Sequence, residues 1–269
     1  MDGVEGVSAV AGARDPAPSP YVRADLYDFL FHDYTADLDF YLAAARDATG
    51  PVLDLGCGTG RVLLRAVAEG LDMDGLDASP EMLERLRANA RARGLAPRAS
   101  LGDMRAFALE RRYACVMIPF NAFVHNLTAD DQLGTLRSCR NHLLPGGRLV
   151  FDTFSATPAM IAIPVSDPVL ELEAAHPETG SLMRLYDGRR LDVFAQTQHS
   201  MIEIHEVPAS GGEARVHRFE TLVRWVYPSE MELLLRLAGF ARWTITGGFD
   251  GRPAAEHQGS LVVSAWTER

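Results

Sequence analysis

Lysine is absent from this chain, and all 26 of its Lys/Arg positions are arginine. A phosphate-binding loop, which ends in Gly-Lys-Ser/Thr, is therefore excluded. Cysteine is scarce: Cys57, Cys115 and Cys139 form no C-x-x-C pair, and their odd number gives no disulfide framework. Cys57 lies in a glycine loop and Cys115 in an apolar run, so packing explains both, and a reducing cytoplasm is the expected compartment. No run of eighteen apolar residues occurs, so no membrane-spanning helix is expected. Positive charge is also in deficit. A formal net charge of −10 argues against a nucleic-acid partner, which needs a basic surface. Residues 1–20 are small and rich in Pro, Gly and Ala, without the basic start and apolar centre of a signal peptide. They are expected to form a flexible tail.

What is present is organised around Pro51-Val52-Leu53-Asp54-Leu55-Gly56-Cys57-Gly58-Thr59-Gly60-Arg61. Val52 to Leu55 has the apolar character of a buried strand, and a helical pattern begins at Arg61. A strand, a glycine turn and a helix together place backbone amides at the carboxyl end of a strand, where open α/β sheets bind ligands. A dinucleotide loop, G-x-G-x-x-G, would need its third glycine where Arg61 stands. The pattern D-x-G-x-G-x-G instead resembles motif I of the class I S-adenosylmethionine (SAM) methyltransferases. At 269 residues the chain suits one large domain, or one domain with an insertion.

The segments on either side extend that resemblance. Tyr27, Phe31, Tyr34, Leu38 and Tyr41 follow helical spacing and predict one apolar helical stripe. Tyrosine hydroxyls need partners when buried, and A-D-L-Y-D-F-L-F-H-D-Y is similar to the tyrosine-bearing helix that covers the cofactor in small-molecule methyltransferases. Tyr27 and Tyr34 are thus candidates to face the ligand. A second strand ends at Asp77, and Ser79 with Pro80 opens a helix through Met82. A carboxylate at that strand end suits ribose hydroxyls. Gly102-Asp103-Met104 resembles the family's adenine-binding turn. A fourth strand, Tyr113 to Ile118, opens into Pro119-Phe120-Asn121-Ala122-Phe123-Val124-His125-Asn126, and in the family this segment passes the methionine end and the methyl group. The resemblance therefore implies cofactor contacts from Tyr27, Asp54, Gly56, Cys57, Gly58, Gly60, Asp77, Ala78, Met82, Asp103, Met104, Phe120 and Asn121. His125 is the best candidate base, with Tyr27 and Tyr34 as further proton acceptors; a merely structural histidine is the competing reading.

Thr128 with Asp131 starts a helix to about Leu143, and Pro145-Gly146-Gly147 turns into a fifth strand, Arg148 to Asp152. Residues 155–175 begin an insertion. Ser181–Tyr186, Arg190–Val207 and Arg215–Tyr227 then suggest antiparallel strands, with Asp187-Gly188 as one turn and Ser210-Gly211-Gly212-Glu213 as another. Arg184, Arg189, Arg215, Arg218 and Arg224 face a solvated side or grip an anion, and His199, His205 and His217 show no metal-ligand spacing. Ser229-Glu230-Met231-Glu232 has the form of a capping box, and Gly239 ends that helix. Two last strands flank a Gly247–Gly251 loop long enough to approach the cleft.

The expected fold class is α/β, a Rossmann-like class I methyltransferase fold with a seven-stranded mixed sheet, last strand antiparallel, and an antiparallel β insertion after the fifth strand. The expected division is a tail at 1–20, a SAM-binding core with its lid helix at 21–154, a substrate-side insertion at 155–227 and the end of the core at 228–269. The expected partner is a small molecule, with no nucleic acid, membrane or metal; a homodimer stays open. The resemblance is to small-molecule N-methyltransferases acting on glycine or nucleotide-linked amino sugars, with S-adenosyl-L-homocysteine (SAH) as product. Two alternatives remain at this point: an O-methyltransferase of a natural product using His125 as base, and a SAM- or SAH-binding protein without transferase activity.

Overall fold

Beyond Pro51 the chain alternates strand and helix, as its short apolar runs dictate. The computed structural model describes residues 18–31, 34–176 and 179–269. Most of the expected tail, residues 1–17, lies outside the described residues, as do His32 and Asp33. Pro18 belongs to the folded part, since its carbonyl accepts the Glu220 amide at 3.1 Å.

Two helices, α1 (Ala24–Phe31) and α2 (Leu38–Arg46), precede β1 (Val52–Leu55), α3 (Leu63–Ala68), β2 (Met73–Asp77) and α4 (Pro80–Ala92). Next come β3 (Arg98–Leu101), β4 (Tyr113–Ile118), α5 (Ala129–His142) and β5 (Leu143–Phe154). The short helix α6 (Pro158–Ala162) leads to four strands, β6 (Val165–Ala175), β7 (Leu182–Asp192), β8 (Thr197–Val207) and β9 (Arg215–Arg224). The chain closes with α7 (Pro228–Ala238), β10 (Arg242–Thr246) and β11 (Ser260–Trp266).

Seven strands form one sheet in the order β10-β11-β5-β4-β1-β2-β3. The strands from β3 across to β5 pair in parallel, and β11 runs antiparallel to both β5 and β10, as the sequence predicts for the last strand. Such a sheet must be covered on both faces. Leu136 and Cys139 of α5 with Met231, Leu234 and Leu235 of α7 cover one face. Tyr41 of α2, Leu63 of α3 and Leu83 and Leu86 of α4 cover the other. The chain order reverses between β1 and β4, which opens a crevice at their carboxyl ends.

The inserted strands form a separate antiparallel sheet, β6-β7-β8-β9. Its inner face packs Met183, Ile204 and Phe219 on Leu26 of α1, and Leu191 beside Trp225 and Ala156.

Several local features depart from the sequence pattern. The tyrosine stripe is two helices rather than one, because Arg61 grips the Asp37 carboxylate at 2.5 and 2.6 Å and the Tyr34 carbonyl at 3.1 Å, pinning the chain just ahead of α2. Residues 165–175 are a strand despite Pro168, an edge strand whose register shifts on either side of Val169 and Leu170. Asp187-Gly188 lies inside β7 instead of turning, and a Cβ at Gly188 would meet the Pro168 nitrogen at 2.9 Å, so glycine serves the close approach of β6. The reversal comes at residues 193–196, with Gln196 at φ 56°, which splits the expected Arg190–Val207 strand. Finally, Ser229 caps nothing: Pro228 takes the first position of α7 and Tyr227 the cap, without a side-chain bond.

Candidate active site

The glycine loop turns tightly enough to lie against the segment after β4. Gly56 has φ 79°, and a Cβ there would meet the Ala122 Cβ at 3.0 Å. The Gly58 amide donates to Asp77 Oδ2 at 2.7 Å, and the Ser79 amide donates to Oδ1 at 2.8 Å. Asp77 therefore has a fixed orientation and still has acceptor capacity on both oxygens. Burial raises its carboxyl above the ordinary range, against the opposing pull of those amides.

A cavity of about 220 Å³ lies beside it, lined by Gly56, Leu76, Asp77, Ala78, Gly102, Asp103, Met104, Arg105, His125 and Asn126. Asp103 is held by the Arg105 guanidinium at 2.5–3.0 Å, which keeps its carboxyl below the usual range. A narrower cavity of about 30 Å³ is lined by Tyr27, Asp54, Gly56, Cys57, Gly58, Thr59, Arg61, Val62, Pro119 and Phe120. Asp54 is buried there with Oδ1 unpaired, and burial pushes its carboxyl up to about 7.

The structure thus gathers Tyr27, Asp54, Gly56, Cys57, Gly58, Asp77, Ala78, Asp103, Met104, Phe120 and His125 around two adjoining cavities. Met82, Gly60, Tyr34 and Asn121 do not line either one. Met82 is buried, its amide capped by Ser79 at 3.1 Å. The Tyr34 ring sits 4.9 Å from Phe120 and under the Arg61 guanidinium.

His125 opens into the larger cavity and is solvent-exposed; the protein packed around its ring pulls its pKa downward, an effect that solvent access limits. Its Nε2 lies 2.7 Å from the Tyr21 hydroxyl, and a neutral ring accepts that hydrogen bond. Tyr27 and Tyr34 are shifted the other way: burial raises both hydroxyls, so both stay protonated at neutral pH.

Several residues here carry no motif. Tyr21 meets His125 and sits 5.8 Å from the Tyr27 ring. Asp28 fastens α1 over the glycine loop, accepting from Thr59 Oγ1 at 2.9 Å and from Arg85 and Asn89 at 3.0 Å. Their only sequence signal is position within an aromatic-rich segment. Arg224 departs most from expectation. It is buried, and donates to Gln132 Oε1 at 2.5 Å, Gln196 Oε1 at 3.2 Å and Glu230 Oε1 at 2.6 Å, joining the added sheet to α5 and α7. The Gly247–Gly251 loop reaches the α2 side, with Phe249 5.3 Å from Phe40.

These residues fit SAM at both ends. A buried, unpaired carboxylate oxygen at Asp54 suits the amino group of the methionine end. The Asp77–Asp103 cavity offers acceptors for ribose hydroxyls and an adenine amino group.

The comparisons agree with that chemistry. A methyltransferase-domain family matches residues 52–147. The dTDP-3-amino-3,4,6-trideoxy-alpha-D-glucopyranose N,N-dimethyltransferase of Streptomyces venezuelae is 26% identical over 240 residues, 86% of this chain and 94% of that one. The cypemycin N-terminal methyltransferase of a Streptomyces species is 24% identical over 253 residues, 93% and 97% of the two chains. Among solved structures, the CcbJ methyltransferase of Streptomyces caelestis superposes with a TM-score of 0.71 at 25% identity, over 93% of this chain and 99% of that one. In matching such enzymes over nearly its whole length, the chain has the fold of the class I S-adenosylmethionine-dependent methyltransferases, with a methyltransferase domain over residues 52–147.

Proposed function

We propose that this enzyme methylates an amine on a small molecule, of the nucleotide-linked amino-sugar kind, beneath the roof formed by the added sheet. The observation that carries the choice of amine is that the relatives matching most of this chain methylate nitrogen, and the state of the three candidate proton acceptors agrees with it. His125 has its pKa lowered, and Tyr27 and Tyr34 are raised and protonated. The two protonated tyrosines are not matched to taking a proton from a hydroxyl near pH 7, a step commonly worth about 10²–10⁴-fold, and the lowered His125 is a weakened base for it. A neutral amine already carries its lone pair. The relatives that match 86% and 93% of this chain are named as an amino-sugar N,N-dimethyltransferase and an N-terminal methyltransferase, whereas ubiquinone-biosynthesis O-methyltransferases match less than half of it.

When bound, SAM supplies a methyl group on a positively charged sulfur, and transfer to an amine leaves SAH and a proton. In this reading Asp54 receives the amino group of the methionine end, Asp77 the ribose, and Asp103 with Met104 the adenine. Tyr21, Tyr27 and Phe120 exclude water from the cleft; Tyr21 also holds the neutral His125 ring against the cavity wall. The residues 155–227 supply the acceptor side, and the three buried, free thiols suit a reducing, cytoplasmic setting.

Mass spectrometry on matched nucleotide-linked sugars, one with an amine and one with a hydroxyl at the same carbon, tests this. Methylation of the amine alone is expected; methylation of the hydroxyl alone overturns it. In the same assay, the acid limb of the pH–rate profile should be the same in His125→Ala as in the wild type, as expected if His125 is not the base.

A further inference from the structure

The N-terminal segment is fastened to both sheets, and its two sides differ in chemistry. Leu26, Phe29 and Leu30 of α1 pack on Met183, Ile204 and Phe219 of the added sheet. On the core side, Asp28 accepts from Thr59 Oγ1 of the glycine loop and Tyr27 lines the narrower cavity. Residues three and four apart share a helical face, so 26, 29 and 30 form one side of α1 and 27, 28 and 31 another. A cover for the cofactor alone would need only the second side.

The residues just ahead of α1 repeat that arrangement. β9 is an edge strand of the added sheet, and an edge leaves backbone groups unpaired unless another segment covers them. The Pro18 carbonyl accepts the Glu220 amide of β9 at 3.1 Å, and the Arg23 guanidinium donates to His217 Nδ1 on the same strand at 3.4 Å. Between these anchors a single 3-10 turn, Pro20–Val22, turns Tyr21 toward the core. The Tyr21 hydroxyl meets His125 Nε2 at 2.7 Å, and its ring stands edge-on to the imidazole with centroids 5.3 Å apart. His125 belongs to the wall of the larger cavity, beside Asp77 and Asp103. Residues 18–23 are thus a strap with two fastenings on β9 and one at the cavity.

We propose that this strap couples the two sheets: with Tyr21 latched on His125, a cofactor held in the core keeps the β9 edge of the added sheet closed. This rests on the reading of the cleft given above, with the cofactor in the core and the acceptor beneath the added sheet. It does not depend on which atom is methylated. A ligand beside His125 and Tyr27 fixes the surfaces on which the strap lies, and a fixed strap keeps its hydrogen bond to Glu220 made. Coupling of this kind is reciprocal, so an acceptor that holds β9 closed also slows departure of the cofactor. His125 serves as the catch, a role that needs a neutral ring accepting from Tyr21 and no proton transfer from a substrate.

The test uses Tyr21→Phe, His125→Ala and the double variant in the full chain, with SAH as the ligand. Tyr21→Phe keeps the ring and removes only the hydroxyl. Without ligand, exchange of the Glu220 amide, followed by NMR, should accelerate by about three- to tenfold in Tyr21→Phe, the size of one ordinary hydrogen bond. SAH should slow that exchange at least about threefold in the wild type and less than about twofold in either single variant. The Gly58 amide, in the cofactor loop itself, should be protected by SAH in all of them. Release of SAH, measured by surface plasmon resonance, should quicken by about three- to tenfold in each single variant. The double variant should be no faster than either, because the two residues share one contact. Additive accelerations, or Glu220 exchange that responds neither to SAH nor to Tyr21→Phe, overturn the proposal. His125→Ala carries the test if Tyr21→Phe does not fold. If SAH does not bind the wild type, the cofactor reading fails by itself, and the ligand-free Glu220 exchange alone decides whether Tyr21 latches the strap.

Discussion

The two sheets of this molecule treat charge in opposite ways. On the outer face of β7–β9, charges satisfy one another: His199 meets Glu220 at 3.0 Å, His205 meets Glu203 at 3.0 Å and Arg218 meets Glu203 at 2.9 Å. At the carboxyl edge of the seven-stranded sheet, Asp54 and Asn121 each keep a buried oxygen unpaired. Exposed pairs contribute roughly 0–1 kcal/mol, whereas a buried acceptor without a donor costs about 1–3 kcal/mol. The outer face is therefore complete as it stands. The edge of the core keeps acceptors free for a ligand's donors, and it is there that the proposed cofactor site lies. The inner face of the added sheet falls between the two, since Asp187 Oδ1 and Arg189 Nε lie buried and unpaired beside one another's strand positions.

Breaking the joint between the sheets should give the largest effect. Arg224 is the buried charge that ties β9 to α5 and α7, and removing one partner of such a network costs about 3–5 kcal/mol. Arg224→Ala should lower stability by that order in urea unfolding while SAH affinity per folded molecule stays the same. A loss of SAH affinity as large as the loss of stability would show that the sheets are not separable in this way. Next comes the core alone. Asp77→Ala should weaken SAM and SAH binding by about 1–3 kcal/mol, the order of hydrogen bonds to a charged group, with the acceptor KM unmoved. The smallest effect belongs to the outer face: Arg218→Ala, at an exposed pair, should change stability by roughly 0.5 kcal/mol or less and leave turnover alone.

The same contrast explains what was legible in the sequence. The core was readable because local chemistry and tertiary role coincide there. Val52–Leu55 is buried on every residue, Ser79 caps α4 before Pro80, and Asp77 ends β2 beside the glycine turn. The site residues that escaped notice act across long sequence separations. Tyr21 meets His125 from 104 residues away, and Arg224 meets Gln132 from 92. No spacing rule reaches that far. In the added sheet, turn chemistry misled: Asp187-Gly188 has the composition of a hairpin turn, but Gly188 is there to admit Pro168. His125 was located by its place after β4, while its environment was not readable, because that depends on what packs around the ring, Tyr21 among it.

The central claim is that Asp54, buried with Oδ1 unpaired, receives the positive end of the cofactor. Its carboxyl is pushed up to about 7, so in the free protein its contribution to stability is present at low pH and lost as pH rises through 7. An ammonium beside it favours the carboxylate and lowers that pKa, so binding between about pH 6 and 7 must release protons. Calorimetric titration of SAH in buffers of different ionisation heat measures this directly. The account predicts binding in the micromolar range with net proton release that disappears in Asp54→Asn. Binding with proton uptake, release that survives in Asp54→Asn, or no binding at all would contradict it.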